Sequence, residues 1–292
     1  MVNWWKRARN RPAASFLIRL TRRYFLHDVG RQAAALAYYL LFTLFPFLIF
    51  VSSLLGVLSL DISGITSSLR PLLPEGVTEL VEMYLQHVSR MPSAALMWFA
   101  LVFSVWFPMR AVSCLMRSVR RAYHLPKPKR PVRYGAKILL YTLMLLLTIA
   151  VALILMTVGQ RALRLIGGML RVELSGGLIA GWSILRFGIL AILIFAAVGL
   201  LYAMALDQRR PGHHIVPGTL VAMVFWVAIS AGYSFYVEYI SDYSVVYGAL
   251  GAVVVLLIWL YLTSIILILG AEWNAALCKA RRGRGELPER RL

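Results

Sequence analysis

Two arginines, Arg110 and Arg186, lie inside stretches otherwise almost free of charge, and a glutamate, Glu272, closes a third such stretch. Burying a charge in hydrocarbon costs at least about 2.5 kcal/mol on insertion scales. A charge kept there marks an ion or proton route, a lock between helices, or a side chain that snorkels to the headgroups. Arg110 follows Pro108 by two residues and by depth faces Thr43 of one stretch and Thr263 or Ser264 of another. Arg110, Thr43, Thr263 and Glu272 together predict an intramembrane polar route. In it Arg110 attracts an anion or fixes a carboxylate, and Glu272 is an ion or proton site near the mouth. The competing reading has Arg110 snorkelling past the Pro108 bend, and Glu272 as an interfacial carboxylate beside one of many nearby cations. Arg186 sits about two turns inside its stretch, opposite Glu238 and Asp242. A pair with either predicts a structural ion pair that locks helices together.

Catalytic chemistry has little to stand on. His213-His214 is the one adjacent histidine pair, in a short loop after Arg209-Arg210, and no HxHxDH-like run accompanies it. No GxSxG, Walker or dinucleotide fingerprint occurs. Cys114 and Cys278 are too far apart in the chain to suggest a disulfide framework or metal spacing. The expectation is a protein that is not an enzyme, with no metal and no cofactor. Gly167-Gly168 and Gly176-Gly177 read as loop punctuation.

The elements that would position these residues are long apolar helices. The chain has 292 residues, is 60% hydrophobic and only 15% charged, with a mean hydropathy of +0.75. Crossing a hydrocarbon core about 30 Å thick takes roughly 20 apolar residues in a helix, which satisfies its own backbone in lipid. Six stretches qualify: 33–60, 93–119, 136–159, 178–206, 215–240 and 248–271. Pro46 and Pro108 fall inside the first two and predict kinks. The fold class is therefore an all-α polytopic membrane bundle of six transmembrane helices. It forms one domain, with a basic segment 1–32, a bundle 33–272 and a basic tail 273–292.

The net charge of +19 would suggest nucleic acid in a soluble protein. Here it orients the helices, and no nucleic-acid partner is expected. With the N-terminus inside, twenty-four of the 31 Lys and Arg fall on inner segments and five on outer ones. This predicts a plasma-membrane protein with both termini cytoplasmic. The basic N-terminus lacks a cleavable signal pattern, so the first span is expected to act as the targeting signal. Phe16, Leu17, Leu20 and Tyr24 form one face of a helix and Arg19, Arg22 and Arg23 the other, with Trp4 and Trp5 upstream. Such a helix lies on the inner leaflet and engages anionic lipids. In the outer connection, Val77, Val81, Tyr84 and Val88 alternate with Glu79, Glu82 and Gln86 as an amphipathic helix.

Two blocks carry a resemblance. RQAAALAYYLLFTLFPFLIFVSSLLG spans Arg31–Gly56, and Ile215–Leu277 contains Tyr247-Gly248, Leu250-Gly251, Trp259-Leu260-Tyr261 and Gly270-Ala271-Glu272. With MRSVRRAYHL at Met116–Leu125 they resemble the YihY/BrkB family of bacterial inner-membrane proteins. The resemblance implies six helices with cytoplasmic ends. On activity it implies little: members have been named for serum resistance, suspected of transport, or given a tRNA-processing ribonuclease label regarded as misassigned. Three functions follow in order of expectation: transport or export of a small solute or ion, a structural or lipid-binding role in the envelope, and ribonuclease activity. The sequence leaves the oligomeric state open.

Overall fold

The computed structural model describes residues 12–58, 83, 94–169, 176–206, 215–239 and 249–282. They form seven helices, and no strand occurs among them. A short helix α1, Pro12–Leu26, precedes six long ones: α2 Val29–Leu58, α3 Ala94–Ala122, α4 Pro131–Met169, α5 Gly176–Ala205, α6 Val216–Tyr239 and α7 Ala249–Arg282. Each of the six contains a window long and apolar enough to cross a membrane.

The six alternate in direction, so one end of the bundle gathers the starts of α2, α4 and α6 and the ends of α3, α5 and α7. Helices α2, α3 and α7 pack on one another at the centre, α4 and α5 lie against α3, and α6 lies against α7 and α5. The main core sits toward the end bearing α1. There Val29, Ala33 and Leu36 of α2 meet Met116 and Val119 of α3, with Tyr202 of α5 beside them. A smaller cluster of Ala37, Leu48, Leu256 and Leu260 joins α2 to α7 farther along. Alanines at the α2 face let the backbones approach, as small residues do in membrane bundles. Outward faces of α4, α5 and α6 carry exposed Leu147, Ile192, Val224 and Val227, as a lipid-facing surface requires.

Helix ends differ from the hydropathy limits in informative ways. The sixth apolar stretch loses hydropathy after Ala271, yet α7 runs on to Arg282 because Asn274, Ala275, Ala276 and Cys278 are buried there. Glu272 is therefore inside a helix rather than at its edge. Gly167-Gly168 fall within α4 and Gly176-Gly177 open α5, so neither pair lies in a loop as the sequence suggested. Pro131 begins α4, where its missing N–H costs nothing. Pro46 and Pro108 are buried inside α2 and α3, which continue past both. The outer amphipathic segment lies outside the described residues apart from Met83.

Candidate functional site

Two helix terminations set up the site. Helix α1 stops at Leu26, and the turn His27-Asp28 leads into α2 with Asp28 at φ 51°. The His27 amide donates to the Arg23 carbonyl at 2.9 Å, and the Gln32 amide donates to the Asp28 carbonyl at 3.1 Å. Four residues apart, Arg23 and His27 share a face. At the end of α3 the Leu125 amide donates to Arg120 and the His124 amide to Arg121, both at 2.9 Å, with His124 at φ 51°. This is a Schellman closure, and its left-handed position holds His124 instead of the usual glycine.

Between these terminations lies Glu272 of α7, 1% exposed. The Arg23 guanidinium donates to its Oε2 at 3.0 Å, and His27 Nδ1 meets its Oε1 at 2.5 Å. Arg23 also reaches the Ala122 carbonyl at 3.4 Å, tying α1 to the end of α3. The exposed His124 ring stands edge-on to His27 with centroids 5.2 Å apart. Partial burial, then the charges of His27 and Arg23, hold its imidazole below the ordinary value, with Glu272 pulling the other way. Burial raises the Tyr123 phenol well above its usual range, reinforced by Cys278 and Glu272.

Around this cluster the same end is locked by further buried polar groups. Arg120 donates to the Ala205 carbonyl at 3.0 Å and to Pro126 at 2.7 Å, and lies over the Tyr134 ring. It thereby caps α5, whose last carbonyls have no helical partner. Asn274 accepts from the Gly218 amide at 2.7 Å and donates to the Ile215 carbonyl at 2.8 Å, which fixes the start of α6 on α7. Tyr202 donates to the Leu267 carbonyl at 2.5 Å. Gly218 and Gly270 face each other so closely that a Cβ on Gly218 would overlap the Gly270 carbonyl oxygen.

The other expected residues are placed differently. Arg110 is exposed, and its guanidinium lies 5.2 Å from the centre of the Trp106 ring. Thr43 donates to the Tyr39 carbonyl at 2.7 Å, and Thr263 accepts from Trp226 Nε1 at 3.2 Å. No hydrogen bond joins Arg110 to either hydroxyl. With the Trp259–Ser230 bond at 3.3 Å, the Trp226 contact stitches α6 to α7. Arg186 lies over the Phe187 ring at 5.1 Å, and its Nε is buried without a hydrogen-bond partner. Its expected partners, the Glu238 side chain and Asp242, lie outside the described residues, as does His213-His214. Among the described residues, no group of three or more His, Cys, Asp or Glu is placed to hold a metal.

Arg23, His27 and His124 were not foreseen as partners of Glu272. The available signal was the Arg23/His27 spacing at the edge of the amphipathic N-terminal helix, next to Tyr24.

A bundle of six apolar helices, with a buried carboxylate held by an arginine and a histidine at one end, defines a multi-pass integral membrane protein. Residues 20–291 match the family model described as Virulence factor BrkB, and the chain belongs to that family. The ribonuclease-like protein YfkH of Bacillus subtilis (strain 168) is 30% identical over 274 residues, covering 94% of this chain and 99% of that protein. UPF0761 membrane proteins of Chromohalobacter salexigens and Xanthomonas campestris pv. campestris (strain B100) are 28% and 26% identical. Those matches cover 90% and 96% of this chain but 63% and 65% of the relatives, so the chain spans about two thirds of their length. No solved structure matches.

Proposed function

We propose that the protein is a bacterial plasma-membrane transporter or exporter of a small solute or ion, with both termini in the cytoplasm. The observation that carries this reading is Glu272: a carboxylate 1% exposed, whose two oxygens are held by Arg23 and His27 from the segment preceding the bundle. A membrane helix that needs only stability at this position is better served by an apolar residue, because a buried ion pair repays its desolvation poorly. A polar closure, unlike an apolar plug, can be broken by a proton or a competing charge. The excess of cations on the segments at this end supports its cytoplasmic placement. Exposed Arg121, Lys127, Lys129, Arg130 and Arg133 flank it there and fit the headgroups of anionic lipids. Arg110, Thr43 and Thr263 mark the deeper part of the route.

Ion and proton flux into proteoliposomes tests the proposal. Wild-type protein is expected to carry flux that Glu272→Gln loses and Arg110→Ala reduces. Liposomes silent across several ion and pH gradients would replace transport by the lipid-binding reading, in which the Lys127–Arg133 cluster carries the function and Arg110→Ala does little.

A further inference from the structure

Resting on the transport reading, we propose that His27 and Glu272 form the proton-binding site of the cycle, so that the coupling ion is a proton whose departure opens the cytoplasmic end. The first argument is the contact itself. An imidazole nitrogen and a carboxylate oxygen 2.5 Å apart cannot point lone pairs at each other, so a proton lies between them. With a carboxylate as acceptor the bond is charge-assisted, and a second charge on the imidazole strengthens it. The second argument is the ligand set. A hard metal cation such as sodium needs a cage of oxygens. Here both Glu272 oxygens are engaged by nitrogen donors, one from Arg23 and one from His27. That is a site for a proton.

The third argument is the path. His124 is exposed, and its ring borders that of His27. Its imidazole is held below the ordinary value by partial burial and by the charges of His27 and Arg23. The cationic form of His124 is therefore disfavoured there, so a proton reaching it is handed on to water and not held. Release breaks an N–H bond on His27 and forms one on His124, which passes the proton to cytoplasmic water, and no other bond changes. The remaining groups facing the cluster do not compete for the proton. Arg23 on α1 and Lys279 on α7 are cations, and Tyr123 after α3 is kept as a neutral phenol by its burial. Asp28 is tied to Arg31 at 2.6 Å on the exposed side of the turn. Arg120 is committed to the Ala205 and Pro126 carbonyls, and Arg121 is exposed. Without the second charge, the His27–Glu272 bond falls to a neutral-donor one, and the hold of α1 on α7 weakens to Arg23, the Tyr24–Tyr261 hydrogen bond and apolar contacts.

Native Cys278, buried on α7 and electrostatically coupled to Tyr123, reports the opening. In a Cys114→Ser background in nanodiscs, the maleimide labelling rate of Cys278 is divided at each pH by that of the unfolded protein, which removes the thiol's own ionisation. The ratio is expected to rise about tenfold between about pH 5 and 8, the range where imidazoles change charge and roughly the gap between charge-assisted and neutral hydrogen bonds. Nitrogen-15 NMR of labelled histidines should show His27 losing its proton over the same interval. His27→Gln keeps a neutral N–H donor but can never carry the second charge, so its ratio should stay flat and high, and Glu272→Gln should likewise be flat and high. A flat wild-type ratio, or a His27 in one protonation state throughout, would overturn the proposal. Neither measurement uses a solute or a gradient. Titration with silent proteoliposomes would refute transport while leaving the proton site, and flux with a flat ratio would do the reverse.

Discussion

The end of the bundle that bears α1 and the lipid-embedded region around Arg110 and Arg186 treat buried polarity in opposite ways. At the first, each polar group has directed partners: Glu272 has Arg23 and His27, Arg120 two carbonyls, and Asn274 clamps the Gly218 amide and the Ile215 carbonyl. In the second, Arg110 and Arg186 lie against the rings of Trp106 and Phe187, and no carboxylate among the described residues is hydrogen-bonded to either. A ring face accepts a cation over a range of geometries, whereas a carboxylate between two donors accepts one. The difference separates a region whose polar groups are held by directed partners from one whose cations are free to adjust.

Glycines give the largest test of that contrast. A Cβ on Gly218 would overlap the Gly270 carbonyl and come within 2.5 Å of Asn274 Cγ, while one on Gly232, in the same helix, meets nothing within 4 Å. Gly218→Ala must push α6 off α7 and break the Asn274 clamp. Overpacking and lost buried hydrogen bonds together cost about 3 kcal/mol or more. Gly232→Ala should be neutral or gain up to about 1 kcal/mol from helix propensity. Thermal unfolding read by a thiol-reactive dye on buried Cys114 and Cys278 checks both. Equal melting temperatures would mean that the Gly218–Gly270 crossing is not the fixed point of the fold.

The next largest effect compares two arginines. Arg23→Met leaves Glu272 buried with only His27, and breaking a buried pair from one side costs about 3 kcal/mol at the low end of its range. Arg110→Met removes a cation from an apolar span and should be neutral or stabilising, by up to about 2.5 kcal/mol on insertion scales. If the two variants melt alike, the Arg23 contact contributes no more than a surface pair and the proposed closure has no energetic basis.

The same division explains what the sequence could tell. Six helices were legible because each is a block of roughly 20 apolar residues, a signal that depends on nothing distant. Glu272 stood out for a similar reason, as a carboxylate where hydropathy says apolar. Its partners did not, because the His27 contact joins residues 245 positions apart. Helical spacing put Arg23 on a polar face with Arg19 and Arg22, but spacing cannot say which edge of that face turns toward α7. The continuation of α7 past Ala271 was hidden for the same cause: Asn274 and Cys278 are buried by other helices, and falling hydropathy alone reads as an end. The position of Arg110 within an apolar stretch raised the question of a partner, yet depth does not fix azimuth. Its guanidinium lies over the ring of Trp106, one turn earlier in its own helix, and is hydrogen-bonded to neither Thr43 nor Thr263.

The smallest effect concerns His124 and carries a sign. Its imidazole is lowered in the folded protein from an ordinary value of 6.5 by partial burial and by the cations beside it. Below about pH 6.5 the unfolded chain therefore binds more protons at this residue than the folded one, and stability falls as pH drops through that value. Above it the contribution is complete. His124→Gln removes the titration, so wild type should lose melting temperature relative to this variant on acidification from about pH 7.5 to 5.5, and the two should run parallel at higher pH. The difference between the two proteins, and not the slope of either, carries the information. A difference independent of pH would show that the charges of Arg23 and His27 do not reach His124, and with that the neutral acceptor at the mouth of the site would be gone.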